Sequence, residues 1–248
     1  ETGWGTSTTN NTFSKSYLDI FHSTEIAGYQ NMVNNDIIQV WATGNDGYAT
    51  PNLQAQLPYH YSNLKELWIA VTGIDSNGTE YSAANRCGIA ADWCIAAPAV
   101  NVISTDEDHT SEYQNYSGTS MAAPHVTGAI AILIEAFPTL SAEQIVDRLF
   151  ATASTSGLTD RDGNSYSSSV FGQGKIDLDA ATKPIEVLAL SSPSNNLNNS
   201  SNNSNNSTFH DVNNSKIIFS SAFGNKISKN NMLMKNVNLA EKFSETVV

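Results

Sequence analysis

Charge is scarce in this 248-residue chain, and positive charge most of all. Asp, Glu, Lys and Arg make up 15% of it, with 12 Lys plus Arg against 24 Asp plus Glu and a formal net charge of −12. Phosphate backbones and anionic bilayers recruit basic surfaces, so this balance argues against nucleic acid and against a polybasic membrane anchor. Long apolar runs are missing too; none reaches the roughly 20 residues of a spanning helix. Glu1 is not Met and no basic-then-apolar leader follows it, so the polypeptide is expected to be a processed product or a piece of a longer protein. Cysteine is rare: only Cys87 and Cys94 occur, with six residues between them. Two thiols at that spacing are a poor match to a structural metal site. They leave a pair of buried thiols or, the favoured reading, a local disulfide, which would contribute about 2–3 kcal/mol and imply an oxidising compartment.

What is present is organised unevenly. At about 150 residues per domain the length allows one or two domains. Apolar runs alternate with turn signals up to Pro184. From Ser191 to Ser215 the chain is mostly Asn and Ser, with no apolar pattern to offset the entropy of ordering it. The expected layout is a globular part over 1–184, a disordered Asn/Ser-rich linker over 185–215, and a tail over 216–248 too short for a core of its own.

Within 1–184 the runs 36–44 and 66–73 read as buried strands, and 94–98 and 101–105 as shorter ones. Residues 120–137 are apolar nearly all round, which predicts a helix buried in the middle of a fold, stopped by Pro138. Ser141 and Gln144 form a capping-box pattern that opens an amphipathic helix over 142–151. Alternating strands and helices predict an α/β fold, a mostly parallel sheet with helices on both faces.

The strongest chemical signal is Ser117-Gly118-Thr119-Ser120-Met121-Ala122-Ala123-Pro124-His125-Val126-Thr127-Gly128. A turn delivers Ser120 to the start of the buried helix, where unpaired N–H groups and the helix dipole favour negative charge. A serine so placed can attack a carbonyl while its own N–H stabilises the oxyanion. Locally, an ordinary serine N-cap is an equal reading. Asn45-Asp46-Gly47, after the first strand, reads by itself as a turn.

These residues resemble the subtilisin-like serine proteases, the subtilases. The segment 118–128 matches their nucleophile motif, G-T-S-M-[AS]-x-P-H-V-x-G, at Gly118, Thr119, Ser120, Met121, Ala122, Pro124, His125, Val126 and Gly128. The resemblance implies that Ser120 is the nucleophile and His125 structural. Trp41-Ala42-Thr43-Gly44-Asn45-Asp46-Gly47 is similar to the family segment with the side-chain oxyanion donor, which would be Asn45, with Gly44 lining the substrate. Gly3-Trp4-Gly5 resembles the substrate-binding strand, usually S-[LFW]-G. Ala97-Pro98-Ala99-Val100 stands where the family often has A-P-G-V, and Ala99 would be costly if that position needs positive φ.

The family triad runs Asp, His, Ser in chain order, with the Asp in D-[ST]-G and the His in H-G-T. Neither motif occurs in these residues; the histidines are His22, His60, His109, His125 and His210. Asp75-Ser76-Asn77-Gly78 lies after Asn45, in the wrong order, and reads as a turn. The chain is therefore expected to start about halfway through a catalytic domain, to fold poorly alone and to lack triad catalysis. The cysteine segment 85–100, the stretch Phe171–Pro184 and Ser221-Ala222-Phe223-Gly224-Asn225 are similar to the autotransporter branch. That implies a secreted or surface endopeptidase with its own C-terminal β-barrel translocator and with proteins or peptides as substrates. No cofactor is required. Asp160-Arg161-Asp162-Gly163-Asn164 has the alternating oxygens of a calcium loop but lacks the distal Glu, so it reads as a solvated turn; no metal ligand is assigned, and calcium stays open but unplaced. Two other functions compete. A variant nucleophile elbow would need an acid and then a His after Ser120, which the sequence does not supply. A non-catalytic adhesin on a degenerate protease scaffold is the alternative.

Overall fold

The run from Leu67 to Ile74 has Thr72 as its one polar side chain, and it becomes the centre of the molecule. In the computed structural model, which describes residues 14–105, 113–183, 189–191 and 216–218, three strands form one parallel sheet: β1 (Gln39–Ala42), β2 (Trp68–Ile74) and β3 (Cys94–Pro98), in the order β1-β2-β3. Every residue of β2 is buried. Its side chains alternate between two apolar layers, as a pleated strand requires. Ile69 and Val71 point to one layer, Trp68 and Ala70 to the other.

The first layer is built by the helices after the sheet, α4 (Thr119–Ala136) and α5 (Ala142–Ala151). Ala122, Val126, Ala129, Ile130 and Leu133 of α4, with Ile145, Val146 and Leu149 of α5, cover Ile69, Val71, Ile95 and Ala97. The second layer comes from α1 (Lys15–Phe21), α2 (Ser23–Asn34), α3 (Leu53–Gln56) and the tight turns after it. Leu18, Ile26, Leu53, Leu57 and Leu64 pack there around Trp68 and Cys94. Trp41 stacks on Trp68 at 5.5 Å between ring centroids, with Tyr29 edge-on to both. The chain thus has an α/β fold, a parallel sheet with helices on both faces. The expected capping box is present: Ser141 Oγ accepts from Gln144 N–H, and Gln144 Oε1 accepts from Ser141 N–H.

Two elements differ from expectation. α4 buries one face only, and Ile132 and Ile134 are 45% and 51% exposed. The sheet accounts for the inner face, and no described residue covers the outer one. The strand expected near 101–105 forms as β4 (Val102–Thr105), but outside the parallel sheet. It pairs antiparallel with β5 (Tyr113–Tyr116) in an exposed ribbon that runs into Ser120.

Cys87 and Cys94 are joined in a disulfide that spans the turn Gly88–Trp93 and pins it to the start of β3. Two short helices, α6 (Ser168–Phe171) and α7 (Leu178–Ala181), close this unit, which ends at Pro184. The second unit, Ile185–Val248, contributes one antiparallel pair, β6 (Ala189–Ser191) with β7 (Lys216–Ile218). β6 falls within the stretch expected as linker; the register sets Leu190 opposite Ile217. The rest of the linker and tail, residues 221–225 included, lie outside the described residues.

Candidate active site

Ser120 is the second residue of α4 and is exposed. Helix geometry leaves its backbone N–H without an intrahelical acceptor. Gly118 caps the helix with an extended backbone that any residue can adopt, so conformational freedom is not its contribution. A Cβ there would lie 3.4 Å from Asn45 Nδ2 and 3.7 Å from Met121 Sδ, ordinary contact distances, so Gly118 brings the helix start against the Asn45 side chain without being the one residue that fits.

Asn45 leaves the end of β1 on an exposed turn and reaches across to the start of α4. Its Oδ1 accepts from Thr119 N–H at 2.9 Å and from Thr119 Oγ1 at 3.2 Å. A backbone N–H can only donate, so the atom facing it must be the amide oxygen. That fixes which way the side chain is flipped and turns Nδ2 toward Gly118. Two neutral donors, Asn45 Nδ2 and Ser120 N–H, therefore stand beside the positive end of α4.

Thr119 is fully buried and ties the two segments together. Its hydroxyl donates to Asn45 Oδ1 and accepts from Gly44 N–H at 3.1 Å. Gly44 has φ +104°, and a Cβ there would come within 2.2 Å of Asn52 Nδ2 and 2.5 Å of Asn85 Nδ2. The residue expected to line the substrate is thus buried beneath Asn45, its N–H already spent on Thr119. Gly3, Trp4 and Gly5 lie outside the described residues.

Comparison with known proteins fits this geometry. The model of the subtilase family matches residues 3–174. The chain belongs to the subtilase family. It is 32% identical over 167 residues to the "Extracellular serine protease" of Serratia marcescens, covering 58% of this chain and 15% of that protein. It is 32% identical over 158 residues to the "Neisserial autotransporter lipoprotein NalP" of Neisseria meningitidis, covering 58% of this chain and 14% of that one. Among solved structures, the prenylagaramide maturation protease PagA superposes with a TM-score of 0.53 at 22% identity, over 63% of this chain and 54% of that chain, a likeness of fold. The subtilase described here spans about a seventh of the two sequence relatives and about half of that structure.

The histidines of this subtilase are placed as follows. His125 turns its Nδ1 onto the Met121 carbonyl, one turn back in the helix, at 2.8 Å, so that nitrogen carries the proton. His22 joins α1 to α2 and contacts Glu25. His60 follows the turn Leu57–Tyr59. His109 and His210 lie outside the described residues. Asp75 closes the expected turn by accepting from Asn77 and Thr79 N–H, both at 2.8 Å. Ala99 does not have positive φ, so alanine is not strained there. Its Cβ instead fills room left by Gly73, where a Cβ would be 2.5 Å away.

The loop 160–164 is a turn, exposed at residues 162–164 and anchored at its first residue. Asp160 is 6% exposed. Its carboxylate accepts from the Asp162 and Asn164 N–H groups and from Asn164 Nδ2, which holds its pKa below the ordinary value. Among the described residues, no group of three or more His, Cys, Asp or Glu side chains is placed to hold a metal ion. Sequence reasoning missed Thr119 as the link to Asn45, and Asn85 as the residue beneath the Asn45 turn. Neither contact has a local signal, because each joins segments far apart in the chain.

Proposed function

We propose that this subtilase is a secreted serine endopeptidase that cleaves peptide bonds through an acyl-enzyme on Ser120. The observation that carries the reading is the Asn45–Thr119 contact, because it holds a neutral side-chain donor beside the N–H of the nucleophile. In the proposed step Ser120 Oγ attacks the scissile carbonyl carbon and its proton passes to a general base. The carbonyl electron pair moves to oxygen, where Asn45 Nδ2 and Ser120 N–H receive the charge. Collapse of the adduct expels the amine with that proton, and water then hydrolyses the ester. The base and its Asp belong to motifs that these residues lack, so the 248-residue polypeptide alone is expected to show no triad-level turnover.

The names of the Serratia and Neisseria relatives support secretion to the surface or medium, and the second supports a β-barrel translocator in the same protein. Substrates are proteins or peptides.

The deciding test is fluorophosphonate labelling of the full-length protein, with the adduct located by mass spectrometry. The expected result is label on Ser120, lost in Ser120→Ala and on unfolding. An unlabelled but folded protein would favour the adhesin reading and end this one.

A further inference from the structure

Asn85 is completely buried, and a buried amide must satisfy four hydrogen-bonding valences. It satisfies them on the segment that presents Asn45. Its Oδ1 accepts from Asp46 N–H at 3.0 Å and from Tyr48 N–H at 2.9 Å. Its Nδ2 donates to the Thr43 carbonyl at 2.9 Å and to Asn52 Oδ1 at 3.0 Å. Its backbone N–H donates to the Gly44 carbonyl at 2.8 Å, and its carbonyl accepts from Thr72 Oγ1 at 3.0 Å, anchoring it to β2. The chain is therefore gripped at 43 and 44, before Asn45, and at 46 and 48, after it. Asn45 itself is left to Thr119.

We propose that Asn85 is the positioning residue of the oxyanion donor: it sets the path of residues 43–48 so that Asn45 Nδ2 stands where charge develops. This rests on the roles proposed for Ser120 and Asn45. An amide is required because Asn85 meets two donors on one side and two acceptors on the other. A carboxylate serves the Asp46 and Tyr48 N–H groups equally well but sets an anionic oxygen against the Thr43 carbonyl and Asn52 Oδ1. A protonated carboxyl regains one donor. Since Asn85 shapes a group used chiefly in the transition state, its loss falls on kcat more than on KM.

The test compares Asn85→Ala and Asn85→Asp in the full-length protein, each alone and combined with Asn45→Ala. Turnover of a peptide anilide is normalised to fluorophosphonate-titrated sites. Asn85→Ala should lower kcat about tenfold or more, within the roughly 10²–10³ that a whole oxyanion donor is worth, with KM little changed. In the Asn45→Ala background the same substitution should change kcat by less than about twofold, since coupled groups are non-additive. Relative to wild type, Asn85→Asp should recover as pH falls from 8 to 6, because burial favours the protonated acid. Equal losses in both backgrounds, or an Asn85→Asp profile parallel to wild type, would overturn the proposal. The side-chain amide resonances of Asn45 give a readout without turnover, and should shift or double in Asn85→Asp at pH 8. Unmoved resonances overturn the role of Asn85 even if the wild type is active. Shifted resonances in a protein that neither turns over nor labels would sink the proposed activity and leave the positioning of Asn45 standing.

Discussion

Thr119 holds its neighbours through both ends of one hydroxyl, accepting from Gly44 N–H and donating to Asn45 Oδ1. Thr119→Val keeps the shape and removes both bonds, leaving a buried Gly44 N–H without its partner. Such a loss costs about 1–3 kcal/mol. Thr119→Ser keeps the hydroxyl. The expected outcome is a lowered chemical-denaturation midpoint and a lowered kcat for Thr119→Val, with Thr119→Ser near wild type in kcat; equal kcat in the two variants would show that the hydroxyl does not orient Asn45. Ser120 and Asn45 were legible in the sequence because each stands in a motif whose neighbours reproduce a family pattern. Thr119 stood in the same motif, yet its bond to Asn45 crosses 74 positions, and no local spacing announces such a contact. The burial of Gly44 was illegible for a related reason. Being next to Asn45 in sequence says nothing of whether the backbone faces solvent or, as here, Asn52 and Asn85.

Among the elements, the strands that were legible are those whose own residues demand burial. β2 is apolar but for Thr72, β3 is apolar throughout, and α5 announces itself by its cap and amphipathic stripe. β5 is Tyr-Gln-Asn-Tyr, exposed at every position, and exists through pairing with β4. No periodicity marks a strand of that kind. The outer face of α4 shows the converse limit: composition predicts burial but cannot say what covers a surface. The disulfide belongs to this scale because it fastens the turn Gly88–Trp93 between Asn85 and β3. Both sulfurs belong to fully buried residues, so mild reductant should leave the bond intact in the folded chain. Replacing both cysteines by alanine should cost about 2–3 kcal/mol by the loop-entropy estimate for so short a loop. That loss would read as a lower melting temperature, and a variant melting with the wild type would show that core packing alone holds the turn.

Across the whole globular unit, one buried carboxylate joins segments far apart in the chain. Glu80 has a side chain 1% exposed and receives the guanidinium groups of both Arg86 and Arg161. Arg161 goes on to donate to the Ser82 and Ala84 carbonyls, and Arg86 reaches Asp162. Burial pushes the Glu80 carboxyl up, but the hydrogen bonds from Arg86 and Arg161 outweigh it and hold its pKa below the ordinary value of 4.5. A carboxylate depressed in the folded state contributes stability that is fully present above the unfolded value and is lost as pH falls through the folded one. Asp160, also lowered, acts in the same direction. The urea midpoint should therefore stay level from pH 7 to about 5 and fall steeply below the unfolded carboxylate range near 4. Glu80→Gln removes the buried charge that both guanidinium groups share, leaving Arg86 with Asp162 and Arg161 with the Ser82 and Ala84 carbonyls. Breaking such a pair from one side costs about 3–5 kcal/mol. The variant should be much less stable at pH 7, and its acid limb should be shallower, because one of the protons that drives unfolding no longer binds. A variant as acid-sensitive as the wild type would place the acid transition in other carboxylates and reduce Glu80 to a packing role.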